Sequence, residues 1–65
     1  MMRKKLIEKR KEYGYTQQSF AEKIGVSRST VAGYETGAIE PSLSVCLKIK
    51  VKLNYFNDDL FDNVK

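Results

Sequence analysis

Histidine is absent from this chain, and cysteine occurs once, at Cys46. Without histidine and with a single thiol, there is neither a zinc-ligand cluster nor a Ser-His or Cys-His nucleophile pair. A lone cysteine also excludes an intrachain disulfide. Its place in an apolar run reads as a small core residue. Glycine-rich phosphate loops are missing, and the carboxylates form no convincing acid/base pair. Catalysis therefore has no support in the residues, and no cofactor is implied. No apolar stretch approaches the roughly 18 residues of a membrane span. Leu6-Ile7 is too short for a signal-peptide core, although the N-terminus is basic. These absences point to a soluble cytoplasmic protein with no membrane partner and no evident small-molecule ligand. Repeats, linkers and low-complexity segments are lacking as well.

What is present is charge and helical rhythm. The 65 residues carry a net charge of +4 and read as one domain over residues 1–65. A domain this small buries only roughly 60% of its unfolded surface, so a second copy would add apolar burial. Arg3, Lys4, Lys5, Lys9, Arg10 and Lys11 crowd the first segment, whereas Asp58, Asp59 and Asp62 make the end acidic. A basic stripe is the footprint of a phosphate-binding surface. It is equally the pattern of a solvated helix face.

The spacing predicts five helices and requires no strand. Helix 1 is expected over about residues 2–13, with Met2, Leu6, Ile7 and Tyr13 as its apolar positions and Gly14 as its terminator. Helix 2 follows Thr16, a cap for a first-turn N–H, with Tyr15 and Phe20 as a hydrophobic staple. It ends at Ile24, where Gly25 breaks it. Helix 3 repeats the device: Ser27 is the cap, and Val26 and Val31 are the staple. It runs to about Thr36, before Gly37. The link between helices 2 and 3 is only about three residues long, a turn that sets two helices at a steep angle. Helix 4 is capped by Ser42 after Pro41 and buries Leu43, Cys46, Leu47, Ile49 and Leu53, leaving Val51 outside the stripe. Asn57 starts a short helix 5 with Leu60, Phe61 and Val64 as its contacts, and Asp58 and Asp59 lie at its positive end.

Residues 17–36 are therefore a helix-turn-helix candidate. Phe20, Ile24, Val26, Val31 and Tyr34 form its apolar side. Arg28, Ser29, Ala32, Gly33 and Thr36 form a short, polar, uncluttered face on its second helix. An arginine at the start of such a helix can donate two hydrogen bonds to guanine. Ala32 and Gly33 would let the helix sit close to a groove floor. The aromatics Tyr55, Phe56 and Phe61 either close the core from below or form a contact between two copies.

Arg10, Thr16-Gln17, Phe20-Ala21, Gly25-Val26-Ser27-Arg28, Thr30-Val31, Tyr34-Glu35, Gly37, Pro41-Ser42-Leu43, Leu53 and Leu60 together resemble the Cro/C1-type (Xre-like) helix-turn-helix family of phage repressors and bacterial regulators. The resemblance covers about residues 6–61. It implies an all-α, compact five-helix bundle of the lambda-repressor-like type that binds double-stranded DNA as a homodimer, helix 3 lying in the major groove. By the same resemblance, Arg28, Ser29, Ala32 and Gly33 face base edges, and Thr16, Gln17 and Ser27 approach phosphates. Arg10 and Glu35 match the family's pair linking helix 1 to helix 3. Three positions depart from the pattern: Lys9 where an apolar residue is frequent, Lys50 where alanine is common, and Phe56 where a small polar cap is typical. The function implied is a sequence-specific transcriptional regulator, a repressor on a palindromic operator. The rival readings are an antitoxin that also regulates its own operon, and a protein-interaction module that keeps the fold without DNA binding.

Overall fold

Side-chain caps set the starts of three helices. Thr16, Ser27 and Ser42 stand in extended backbone and accept hydrogen bonds from the N–H groups of Ser19, Thr30 and Val45. Each hydroxyl accepts from an N–H of the first turn, where intrahelical carbonyls are lacking; the Thr30 N–H is shared with the Ser27 carbonyl at 3.1 Å. At Thr16 the arrangement is reciprocal: its own N–H donates to Ser19 Oγ at 2.9 Å, which closes a capping box. The staple also forms, the Tyr15 and Phe20 rings lying 5.4 Å apart between centroids.

The resulting order is α1 (Lys4–Glu12), α2 (Gln17–Ile24), α3 (Arg28–Thr36) and α4 (Leu43–Leu53), then a 3-10 turn (Asp58–Phe61). The structure, a computed structural model, describes residues 2–62, and among these no strand forms. Gly25 ends α2 with φ +78°, a left-handed conformation that costs a residue with a Cβ energy. The chain reverses there, so α2 and α3 pack on each other; α1 packs on α3 and on the 3-10 turn, and α4 packs on α2. The core is Leu6, Phe20, Ala21, Ile24, Val31, Tyr34, Ile49, Leu53 and Leu60.

Three expectations need correction. The bundle has four α-helices rather than five: the last element is a single 3-10 turn. Asn57 occupies its cap position, but its side chain makes no capping hydrogen bond. A turn this short and uncapped does not propagate. Val64, expected among its contacts, lies outside the described residues.

Helix α1 is shorter than its apolar spacing suggests. Met2 and Tyr13 fall outside it and are exposed, and Leu6 is its one buried apolar residue. The remaining hold on α1 comes from buried arginines.

On α4 the buried row is displaced. Leu43 and Leu47, expected inside, are 78% and 55% exposed. Ile49 and Leu53 are buried, Val45 packs against them, and Cys46 is half-buried. Val45, Ile49 and Leu53 recur every fourth residue, which places them on one side of a helix.

Candidate nucleic-acid interface

Helix α3 presents two unlike faces. Val31, Tyr34 and Glu35 are buried, while Arg28, Ser29 and Thr36 are exposed and Ala32 and Gly33 half-exposed. The two arginines that precede Arg28 in the chain are both buried. Arg28, by contrast, is exposed, and among the described residues no hydrogen bond or ion pair engages its side chain. A guanidinium at the first turn of α3 is thus left with its planar array of donors unassigned.

The buried face of α3 is tied to α1 and α2 by one carboxylate. Arg10 Nε donates to Glu35 Oε2 at 2.5 Å and Arg10 Nη2 to Glu35 Oε1 at 3.3 Å. Arg10 Nη1 also donates to the Tyr15 carbonyl at 2.8 Å, just ahead of α2. Gln17 Nε2 then donates to Glu35 Oε1 at 2.9 Å. Helices α1, α2 and α3 each contribute one side chain to this network.

Gln17 was expected at a phosphate. Its half-buried amide has two N–H donors, and one is on Glu35, so the residue orders α3 from within. Thr16 and Ser27 are exposed, yet their hydroxyls serve their own helices: Thr16 Oγ1 donates to Ser19 Oγ at 3.1 Å, and Ser27 Oγ lies 2.8 Å from Thr30 Oγ1 and 3.1 Å from Ser29 Oγ. The anion-facing groups at these two helix starts are therefore chiefly the first-turn backbone N–H groups.

Arg3 is the residue that sequence reasoning missed. It is fully buried and closes the far end of α3. Its Nη1 donates to the carbonyls of Tyr34 at 2.6 Å and Ile39 at 2.9 Å, its Nε to the Phe61 carbonyl at 3.0 Å, and its Nη2 to the Glu40 carboxylate. The Arg3 backbone N–H donates to the Glu35 carbonyl at 2.7 Å. Carbonyls of the last helical turn have no helical donor, and a cation there suits the helix dipole.

The expected basic stripe is reduced to its lysines, of which Lys4 and Lys11 are exposed. Arg3 and Arg10 face inward. Lys5 lies 3.8 Å from Glu8 and Lys9 3.3 Å from Glu12. Lys9 also stands 4.9 Å above the centre of the Tyr55 ring. A lysine with an aliphatic stem and a charge over an aromatic face can fill a position that otherwise takes an apolar side chain.

Gly33, expected as bare surface for bases, is covered. A Cβ built there would lie 2.4 Å from Ile39 Cδ1 and 2.7 Å from Cγ1, and Ile39 N–H donates to the Gly33 carbonyl at 3.1 Å. A side chain at position 33 would have to displace that of Ile39. The smooth face expected at Ala32-Gly33 is thus half occupied by Ile39, itself 41% exposed.

Of the three aromatics considered for a contact between copies, Tyr55 and Phe61 are partly buried and packed against the core. Tyr55 Oη donates to Asp59 at 2.8 Å, and the Phe61 carbonyl accepts from Arg3. Phe56 is exposed.

Residues 6–55 match a helix-turn-helix family model. The chain is 42% identical over 60 residues to an uncharacterized HTH-type transcriptional regulator of Archaeoglobus fulgidus, covering 92% of this chain and 86% of that one. It is 40% identical over 60 residues to the uncharacterized HTH-type transcriptional regulator YgzD of Bacillus subtilis, covering 92% and 91%. A similar regulator of Methanocaldococcus jannaschii is 37% identical over 60 residues, again 92% and 91%. The chain belongs to the Cro/C1-type helix-turn-helix family.

Proposed function

We propose that this protein is a DNA-binding transcriptional regulator, acting as a repressor on a palindromic operator as a homodimer. One observation carries the reading. The first two arginines are buried and fully engaged, and Arg28 stands unengaged at the outward start of α3. Arg28 reads a guanine through O6 and N7, with Ser29 and Ala32 beside it on the base edges. Gly33 takes part through the Ile39 side chain that covers it.

Dimensions support the groove placement. Helix α3, about 10–12 Å across with its side chains, matches the width of the major groove, about 12 Å. The molecule measures 28 × 22 × 22 Å, so two copies fit side by side with their α3 helices one DNA turn, about 34 Å, apart. First-turn N–H groups after Thr16 and Ser27, with the second amide N–H of Gln17, meet phosphates. Arg10 and Glu35 orient α3. Phe56, presented by a segment that Tyr55 and Phe61 pin to the core, meets its counterpart in the second copy. Repression follows from occupancy: the bound dimer blocks polymerase without chemistry.

Selection of bound duplexes from a random DNA pool tests this reading. The expected product is a two-fold symmetric site with half-sites centred about 10–10.5 base pairs apart. Recovery of no preferred sequence at low salt would instead support an interaction module that keeps the fold without the DNA.

A further inference from the structure

Leu43, Leu47 and Val51 are spaced four residues apart and are 78%, 55% and 62% exposed. They form a row about 12 Å long on the side of α4 turned away from its buried row. Beside this row, α4 and the C-terminal end of α2 enclose a groove of about 530 Å³, with Ile24, Leu47 and Val51 among its walls. Its edge carries Lys23, Lys48 and Lys52. Among the described residues none of these three has an ion-pair partner. The one carboxylate on the edge, Glu22, already accepts from the Gln18 amide at 3.0 Å.

We propose that this groove docks an acidic amphipathic helix of a partner protein, its apolar side on Leu47 and Val51 and its carboxylates on Lys23, Lys48 and Lys52. A contiguous apolar row on so small a domain marks an interaction surface, and a helix in an apolar groove is a recurring mode of recognition. Charge chooses the occupant. A second copy meeting the groove symmetrically would set lysines against lysines, which costs energy. A DNA backbone has nothing to place on an apolar floor. Carboxylates flanking leucines satisfy both features at once.

The test uses the intact protein and two labelled helical probe peptides, each with leucines one turn apart on one face. One is flanked by glutamates and the other by lysines. The glutamate peptide is expected to bind on the order of 10-fold more tightly, the preference shrinking with salt. Leu47→Asp and Val51→Asp should each abolish its binding; both side chains are exposed, so the fold and the affinity for duplex DNA should persist. Lys48→Glu with Lys52→Glu should reverse the peptide preference. Equal binding of the two peptides, binding that survives Val51→Asp, a monomer produced from a dimer by Val51→Asp, or a matching loss of DNA affinity in the lysine variant would each overturn the proposal. Because duplex binding is measured on the same variants, failure here is separable from failure of the DNA reading.

Discussion

Arg10 donates two hydrogen bonds to the Glu35 carboxylate where α1 meets α3, and both side chains are more than nine-tenths buried. The second buried arginine is paired differently. Arg3 meets Glu40, whose side chain is 76% exposed, and otherwise binds main-chain carbonyls. The two ion pairs should therefore respond differently to loss of the acid. Glu35→Ala strands a buried guanidinium and should cost about 3–5 kcal/mol. Glu40→Ala leaves Arg3 among carbonyls at the negative end of α3 and should cost about 1 kcal/mol or less. Urea unfolding of the two variants checks the contrast; equal losses would show that the carbonyls do not hold the Arg3 charge.

Gly33 and Ile39 should behave as a coupled pair. Gly33→Ala forces Ile39 aside, and overpacking of this kind costs about 1–3 kcal/mol. Ile39→Ala alone removes a side chain that is 41% exposed and should cost less. Truncation to alanine leaves only the Ile39 Cβ nearby, 3.2 Å from a Cβ at position 33, so Gly33→Ala should be clearly less costly in that background. A double-mutant cycle by thermal unfolding measures the coupling.

Burial pushes the Cys46 thiol above its ordinary pKa, an effect partly opposed by the charge of Lys50. The thiol keeps its proton in the folded chain where the unfolded chain has released it. Its contribution to stability is fully present below the ordinary thiol pKa and is lost as pH rises through the folded value. Alkylation of the native protein near pH 8 should accordingly be slower than that of the urea-unfolded chain. Equal rates would show that burial does not protect the Cys46 thiol.

The DNA reading fixes a salt dependence. A dimer that neutralises roughly eight phosphates should show a slope of log K against log salt near −7. Fluorescence anisotropy on a selected duplex measures it, and a slope near zero would remove the electrostatic basis of the interface.

The caps were legible because a cap is local. Thr16, Ser27 and Ser42 each act within three residues of themselves, and Gly25 declares a left-handed turn by its own lack of a Cβ. The helix-turn-helix follows from Thr16, Gly25 and Ser27, and Ser42 starts α4. The burial of α4 was not legible in the same way. Apolar residues lie on both of its sides, and nothing in the helix itself says whether Leu43 and Leu47 or Val45 join Ile49 and Leu53 in the core. Arg3 reads as surface charge in the sequence because its side-chain acceptors are 31 to 58 residues away in the chain. The bond from Gln17 to Glu35 escapes the sequence for a similar reason, since the two residues belong to different helices. Arg10 and Glu35 were found only through the family resemblance, which carries long-range contacts that spacing cannot.

Arg28→Ala tests the central claim most directly. Its affinity for the selected operator and for an unrelated duplex should be measured side by side at fixed salt. The side chain is exposed and unengaged, so the fold should persist. Loss of a bidentate contact to guanine, about 1–3 kcal/mol, should weaken operator binding roughly 5- to 150-fold and relax the preference at one base pair, while binding to the unrelated duplex changes little. An equal loss on both duplexes, or none on either, would contradict the account of α3 as a helix that reads bases through Arg28.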